Sequence, residues 1–184
     1  MADALFYSPT QIKEDTPLSK NVDDKYLTET ILYCQDIYIQ KKIGSTLYDE
    51  LKSDVNASTL TGVNKTLMDN YIRKALKWYV MAETVYEVSF PVTNKGVVSR
   101  DGEASTAADR RAIDLVYERY KNKAEHYTQR LINFLCENDT DYPSYTDPGS
   151  GADVIHPDKD MAFSSTMYLG GTKKRYKRLR DKYE

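Results

Sequence analysis

The sequence has 184 residues, a hydrophobic fraction of 40% and a formal net charge of −2, from 26 Lys+Arg against 28 Asp+Glu. This length fits one ordinary domain with a single core, since domains typically contain about 100–200 residues. No apolar run approaches the ~18 residues of a membrane span, and the first residues lack the features of a signal peptide. We therefore expect a protein without a membrane partner that is made in a reducing cytosol.

The net charge hides an asymmetry along the chain. Residues 173–184 contain seven Lys/Arg and two Asp/Glu, a net charge of +5, so residues 1–172 together carry −7. An acidic body is unlike a dedicated nucleic-acid-binding domain, whose pI usually exceeds about 9. The composition therefore argues against a uniformly basic binding surface.

The first 23 residues are polar and show no sustained periodicity, so we predict an extended N-terminal arm over residues 1–23. From Asp24 the pattern becomes that of an amphipathic helix, which is expected to end at Gly44 because glycine adopts the left-handed conformation without a Cβ penalty. The apolar positions of this first helix recur at steps of four, three and four: Leu27, Ile31, Cys34 and Tyr38.

Two further helices are predicted before the middle of the chain. A short second helix runs over about residues 45–53, and a third runs from Asn64, a suitable N-cap, to about Ser89 with a wide apolar stripe. The loop that follows, over residues 93–103, contains two glycines and two adjacent valines. It either forms a small hairpin or remains mobile.

The longest predicted helix covers residues 105–138 and would be about 51 Å long, whereas a compact chain of this size has a radius of gyration of only about 16 Å. Its far end should therefore project beyond the core, and we predict a subunit interface that includes Tyr117, Tyr120, Tyr127 and Leu131. The alternative is that the first and third helices cover this stripe within the monomer. The apolar positions follow four-three spacing: Ile113, Tyr117, Tyr120, Ala124, Tyr127, Leu131 and Phe134.

After Cys136 the chain is rich in Asn, Asp, Pro, Ser and Gly, so an extended C-terminal arm is predicted over residues 139–184. The arm carries two short apolar segments, which are expected to dock on a partner through Phe163, Tyr168 and Leu169. The predicted fold is therefore all-α. It consists of a small four-helix bundle over residues 24–138, with one over-long C-terminal helix and an extended arm at each end.

The sequence contains little that indicates catalysis. It lacks phosphate-binding glycine loops and the HExxH zinc motif, and no nucleophile, base and oxyanion donor can be grouped. Cys34 and Cys136 are isolated and are predicted to be small core residues. The acidic residues around His156 could ligate a hard metal, but they lie on a segment without a scaffold. We expect neither an enzyme nor a cofactor or metal site.

The basic end of the chain is the strongest local signal, and it allows three interpretations. A Lys/Arg cluster can neutralise phosphates, pair with an acidic protein surface such as a neighbouring copy, or remain a solvated tail. The candidate binding residues are Lys173, Lys174, Arg175, Lys177, Arg178 and Arg180.

A family resemblance covers about residues 1–90. The matching pattern is preceded by a polar arm with Asn21-Val22-Asp23 and reads Ile31-x3-Gln35-x3-Ile39-x4-Gly44-x2-Leu47-Tyr48-x2-Leu51. It resembles the head-to-tail connector proteins of tailed bacteriophages, also called head-completion, adaptor or ring proteins, and is most similar to those of crAss-like phages. Residues 91–184 match no pattern of this family.

The resemblance implies a structural virion protein without enzymatic activity. Such proteins form a closed ring, commonly of about twelve copies, that docks under the portal protein and extends the DNA channel. The implied partners are further copies of the chain, the portal, a tail or second ring protein, and the packaged DNA. The implied location is the neck of the virion, with host cytoplasm as the site of assembly. The alternative is a small helical DNA- or RNA-binding protein that uses its basic C-terminal tail.

Overall fold

The computed structural model describes residues 4–90, 92–94, 96, 97 and 110–159. The fold of these residues is all-α, as predicted, apart from one hairpin of two-residue strands in which Val92 pairs with Val97. The strands are β1 (Val92–Thr93) and β2 (Gly96–Val97). The helices are α1 (Pro9–Asp15), α2 (residues 24–43), α3 (Ser45–Asn56), α4 (residues 62–89), α5 (Arg110–Glu137) and α6 (Pro143–Thr146).

The four predicted helices correspond to α2–α5. The hairpin, one of two alternatives for the loop after α4, forms by the pairing of Val92 with Val97 and of Thr93 with Gly96. The first predicted helix ends at Gly44 as expected, with a φ of +83°. A Cβ at this position would lie 2.9 Å from Cδ of Pro157, so both the backbone conformation and the space require glycine.

Both α2 and α4 contain a π-helical segment, and this changes which residues face the core. In α2 the segment Gln35–Gln40 follows Asp24–Cys34 and precedes Lys41–Ile43. In α4 the segment Met68–Ile72 lies between Gly62–Leu67 and Arg73–Ser89. A π turn adds one residue to the repeat. The buried row of α2 therefore runs from Cys34 to Ile39, not to Tyr38 as the regular period predicted, and Ile39 is fully buried.

The prediction of an extended arm over residues 1–23 is wrong for residues 4–23, which pack on the core. Phe6 and Ile12 are fully buried, and Ser8 begins α1 with a capping box. The buried amide of Gln35 accepts a hydrogen bond from the Phe6 backbone N–H (2.7 Å) and donates one to the Ala4 carbonyl (3.0 Å). The segment is ordered because a side chain of α2 satisfies its backbone.

The predicted C-terminal arm, residues 139–184, also needs correction over residues 139–159. Tyr142 and Tyr145 are buried, and the Tyr142 hydroxyl donates to the Val63 carbonyl at 2.9 Å. Farther along, the Ser45 N–H donates to the Ile155 carbonyl at 2.9 Å. The lack of aliphatic residues suggested an unstructured segment, but these two buried tyrosines anchor it to the core instead. Residues 160–184 lie outside the described part of the chain.

The centre of the fold is the antiparallel pair α4–α5, and its geometry contradicts the predicted projection of the last helix. Contacts between the two helices run in opposite chain directions, from Tyr71 against Phe134 to Tyr86 against Tyr117. Each helix has 28 residues. The apolar stripe of α5 therefore has a partner of its own length within the monomer.

Candidate interaction surfaces

The structure separates the predicted interface residues of α5 into two groups. Leu131 is fully buried in the monomer core, so its assignment to a subunit interface is wrong. Tyr117, Tyr120 and Tyr127 are half-buried. The ring of Tyr117 lies 4.9 Å from that of Tyr86, so α4 covers the stripe as the alternative interpretation proposed.

On one side of the α4–α5 pair, tyrosines form a hydrogen-bonded cluster that α2 covers. Tyr38 stacks on Tyr79 with ring centroids 4.2 Å apart, and its hydroxyl donates to Oε1 of Glu83 at 2.6 Å. The Tyr117 hydroxyl donates to the same oxygen at 3.4 Å. Burial, followed by the hydrogen bond to Glu83, raises the pKa of Tyr38. We call this the covered side, and it is made of Tyr38, Tyr79, Glu83 and Tyr117.

The opposite side of the same pair is open and combines aromatic rings with cations. Trp78 stacks on Tyr120 at 5.8 Å, and the Lys123 Nζ lies 4.2 Å from the Trp78 ring centroid. An open groove of about 400 Å³ adjoins these residues. We call this the aromatic–basic face, and it is made of Lys74, Lys77, Trp78, Arg119, Tyr120, Lys123, Tyr127 and Arg130.

The indole of Trp78 has an unusual environment. Its Nε1 is shielded from solvent and has no hydrogen-bond acceptor among the described residues. The Nζ of Lys77 lies 5.6 Å from the ring centroid, on the α4 part of the face. Cations near an indole ring are favoured by its quadrupole, by about 0.5–1 kcal/mol at exposed sites.

Three cations of α5 share one side of the helix. Arg119, Lys123 and Arg130 are spaced by four and seven residues, which places them on one side of the helix, next to Tyr120 and Tyr127. The carboxylates follow the same spacing on the other side, at positions 114, 118 and 125. Arg119, Lys123 and Arg130 therefore lie toward the open side of the pair, whereas Lys121 lies near the covered side, 5.8 Å from the Tyr117 ring centroid.

A second exposed surface lies on α2. Tyr26, Tyr33 and Ile37 are spaced by seven and four residues and are 39%, 46% and 48% exposed. They form a row, here called the α2 row, beside the buried face of this helix. The sequence pattern contained this row, but the stronger neighbouring stripe of Leu27, Ile31 and Cys34 concealed it.

A third surface is acidic and lies on α3 and the segment that packs on it. Residues 137–159 contain six carboxylates and one cation, Lys159, whose Nζ lies 4.7 Å from the Tyr145 ring centroid. The Ser144 hydroxyl donates to Oε2 of Glu50 at 2.8 Å, which fixes the segment to α3. We call this surface the acidic lobe, and it is made of Asp49, Glu50, Asp54, Asp139, Asp141 and Asp147.

The described residues provide no reactive or metal-binding cluster. No group of three or more His, Cys, Asp or Glu side chains among them could hold a metal ion. Burial raises the pKa of the Cys34 thiol, which is therefore protonated at neutral pH and packs as a small apolar residue. None of the described helices is long and apolar enough to cross a membrane.

The remaining predicted contact residues belong to the last part of the sequence. Those of the apolar segments and of the basic end lie outside the described residues: Phe163, Tyr168, Leu169, Lys173, Lys174, Arg175, Lys177, Arg178 and Arg180.

The relation of the chain to known proteins rests on one family. Comparisons with curated proteins and with solved structures gave no match. The family model described as a family of unknown function, DUF6712, matches residues 39–155, from the π-helical segment of α2 to the segment that packs on α3. This match covers more than half of the sequence, so the chain belongs to the DUF6712 family.

Proposed function

We propose that this protein is a structural subunit of the neck of a tailed bacteriophage. In this role it forms a homo-oligomeric ring, commonly of about twelve copies, that docks on the portal, extends the DNA channel and receives a tail or second ring protein. The resemblance of residues 31–51 to head-to-tail connector proteins and the all-α fold support this proposal. The role is structural, without a catalytic residue, cofactor or metal.

The observation that carries the proposal is that exposed surfaces of unlike character lie on different sides of one monomer: the aromatic–basic face, the α2 row and the acidic lobe. Trp78 and Tyr79 are consecutive in α4 and therefore about 100° apart around its axis. Tyr79 contacts α2 on the covered side, whereas Trp78 belongs to the aromatic–basic face. A head-to-tail ring needs this arrangement, because each copy must offer one surface to its neighbour and accept a different one.

Mass photometry and native mass spectrometry of the chain with a portal protein test the proposal. We expect a closed homo-oligomer on the portal. A chain that stays monomeric and does not bind the portal would contradict the proposal. Monomers in the absence of a portal would not, since such rings can require their template to close.

The basic C-terminal end is proposed to fasten the ring to the portal, a neighbouring copy or the tail. Removal of residues 172–184 is expected to weaken docking on the portal more than it weakens folding, because a charged terminal segment stabilises a partner contact rather than a core. Circular dichroism measures folding and native mass spectrometry measures docking. Unchanged docking would exclude this segment from the attachment.

The alternative function is nucleic-acid binding by a small helical protein, favoured by the combination of rings and cations on the aromatic–basic face. It predicts retention on heparin or DNA with a steep salt dependence. The charge of −7 on residues 1–172 opposes it, and a lack of retention at low salt would dismiss it.

A further inference from the structure

We infer that the aromatic–basic face of one copy binds the acidic lobe of a second copy, head to tail. This inference deepens the proposed ring and rests on it for closure, but the pairwise contact can be tested without a portal. The partner is therefore a second chain of the same sequence, recognised by its carboxylates.

Within the described residues, the cations of the aromatic–basic face form no ion pair. The ion pairs described join Lys13 to Asp24, Lys42 to Asp158 and Arg73 to Asp69, and none involves a cation of this face within the described residues. Lys74 and Lys77 also line a neighbouring groove together with Asp15 and Asp69, whose carboxylates are engaged by Tyr7 and Arg73. The face thus presents unmatched positive charge on an acidic body.

The composition of the face is that of a protein interface. Trp, Tyr and Arg are the residue types most enriched among those that contribute most binding energy between proteins. Arg119 and Arg130 are eleven residues apart in α5, about 16 Å along the helix axis. The row of cations is therefore long enough to meet several carboxylates of a partner surface rather than one.

The acidic lobe is a matching surface that is already rigid. Asp49, Asp141 and Asp147 are exposed, whereas Tyr142 and Tyr145 between the last two are buried and anchor the segment. A surface that is ordered before binding loses less conformational entropy when it binds. Charge complementarity between two such surfaces fixes orientation and speeds association.

The geometry of the monomer keeps the two surfaces apart. The acidic lobe is fixed near the start of α4 by the hydrogen bond from Tyr142 to the Val63 carbonyl. Trp78 lies fifteen residues farther along the same helix, about 22 Å away along its axis. The acidic lobe therefore lies at one end of the α4–α5 pair, whereas Trp78 lies near the middle of the pair. An acidic lobe that contacts the aromatic–basic face must come from another copy.

Nucleic acid fits the face less well than a second copy does. Bases bind aromatic side chains by stacking on a free ring surface. Here the rings of Trp78 and Tyr120 already stack on each other, and Lys123 lies 4.2 Å and 5.3 Å from their centroids. The acidic body would also repel a phosphate chain beyond the face.

Two complementary variants test the inference. The first, Lys77→Glu/Lys123→Glu, loses the aromatic–basic face and keeps the acidic lobe. The second, Asp141→Lys/Asp147→Lys, loses the lobe and keeps the face. A matched control, Lys20→Glu/Arg111→Glu, also reverses two cations, and both lie outside the two surfaces.

Sedimentation velocity measures self-association at protein concentrations up to about 1 mM. At this concentration an interface with a binding free energy of about 4 kcal/mol is detected. We expect the wild-type chain and the control to form open or closed oligomers. Each variant alone should be monomeric, and their mixture should form a 1:1 dimer that grows no further, because one intact interface remains. Dimer formation also shows that both variants are folded.

A mixture that stays monomeric, or variants that associate like the wild-type chain, would overturn the inference. The Lys77→Glu/Lys123→Glu variant could instead lose binding to a single-stranded oligonucleotide without a change in self-association. This result would identify nucleic acid as the partner of the face and would also overturn the inference. The portal experiment separates this failure from that of the proposed function. If either variant still forms a ring on the portal, the proposed neck function stands and only the inferred contact between the two surfaces is excluded.

Discussion

The two sides of the α4–α5 pair use the same kinds of aromatic residue in different ways. On the covered side, Tyr38 and Tyr117 direct their hydroxyls to one carboxylate, Glu83. On the open side, Trp78 and Tyr120 stack on each other under Lys123. The polar groups of the covered side are paired within the monomer, whereas the cations of the open side form no ion pair with the part of the chain that the structure describes. The partners of an aromatic side chain, rather than its type, therefore separate a core surface from a docking surface.

The largest expected effect tests whether the stripe of α5 belongs to the monomer. Leu131→Ala removes a fully buried side chain, and we expect a loss of about 2–5 kcal/mol in the free energy of unfolding. The matched control is Leu115→Ala in the same helix, where the side chain is 61% exposed and the expected change is below about 0.5 kcal/mol. Urea denaturation measures both. If both variants lost the same small amount of unfolding free energy, Leu131 would not be a core residue, and its assignment to a subunit interface would stand.

The next effect tests how the N-terminal segment is held on the core. Gln35→Met keeps the volume but leaves the Phe6 N–H and the Ala4 carbonyl without a partner, at an expected cost of about 1–3 kcal/mol. Gln129→Met, on a more exposed part of α5, is the control and should cost less. Urea denaturation measures the cost, and amide exchange at Phe6 should increase. Unchanged protection of this amide would contradict the assigned hydrogen bond.

We expect the covered side to contribute less to the free energy of unfolding at alkaline pH. The pKa values of Tyr38 and Tyr117 are raised chiefly by burial, so the folded state holds these protons more tightly than the unfolded state. The stability that they contribute is complete below pH 10 and is lost as the pH rises above it. Tyr142, whose pKa burial raises to about 12, adds to the loss between about pH 10 and 12.

Tyr38→Phe checks this origin. The variant loses the hydrogen bond to Glu83, at a cost of about 1 kcal/mol at neutral pH, and should show a shallower fall in stability above pH 10. Tyr26→Phe changes an exposed ring of the α2 row and serves as the control. Urea midpoints at pH 8, 10 and 11 provide the comparison. Parallel pH profiles for the wild-type chain and Tyr38→Phe would assign the alkaline loss to other groups.

The smallest expected effect concerns the open side. Lys123→Gln removes a cation above Trp78 and should lower the free energy of unfolding by no more than about 1 kcal/mol. A larger loss in thermal or urea unfolding would mean that the aromatic–basic face supports the monomer itself. The aromatic–basic face would then be a partly exposed region of the core and not a binding surface for a partner.

The sequence predicted the long helices because their apolar positions repeat with a clear period. It did not predict the shift from Tyr38 to Ile39 in the core, since a π turn leaves no mark in a regular repeat. The N-terminal segment was misassigned because α1 has seven residues and a single buried position, Ile12. The segment after α5 was misassigned because Tyr142 and Tyr145 are its main anchors among many loop-forming residues.

The candidate surfaces were harder to predict than the fold. The apolar stripe of α5 was correctly identified, but its cover by α4 was only one of two alternatives, because the alignment of the two 28-residue helices depends on packing. The aromatic–basic face combines positions from two helices that are far apart in the sequence. Only their antiparallel alignment brings Trp78 next to Tyr120 and Lys123.

Trp78 is the only tryptophan of the chain, and its position has a practical consequence. When tryptophan is excited at wavelengths that the sixteen tyrosines do not absorb, the emission reports on one place, the middle of the aromatic–basic face, without any label. Indole emission responds to nearby charge and solvent, so a partner that reaches Lys77 and Lys123 should change its wavelength and its quenching by acrylamide. The unmodified protein thus contains its own optical probe, and a titration can follow whatever binds at this face in real time.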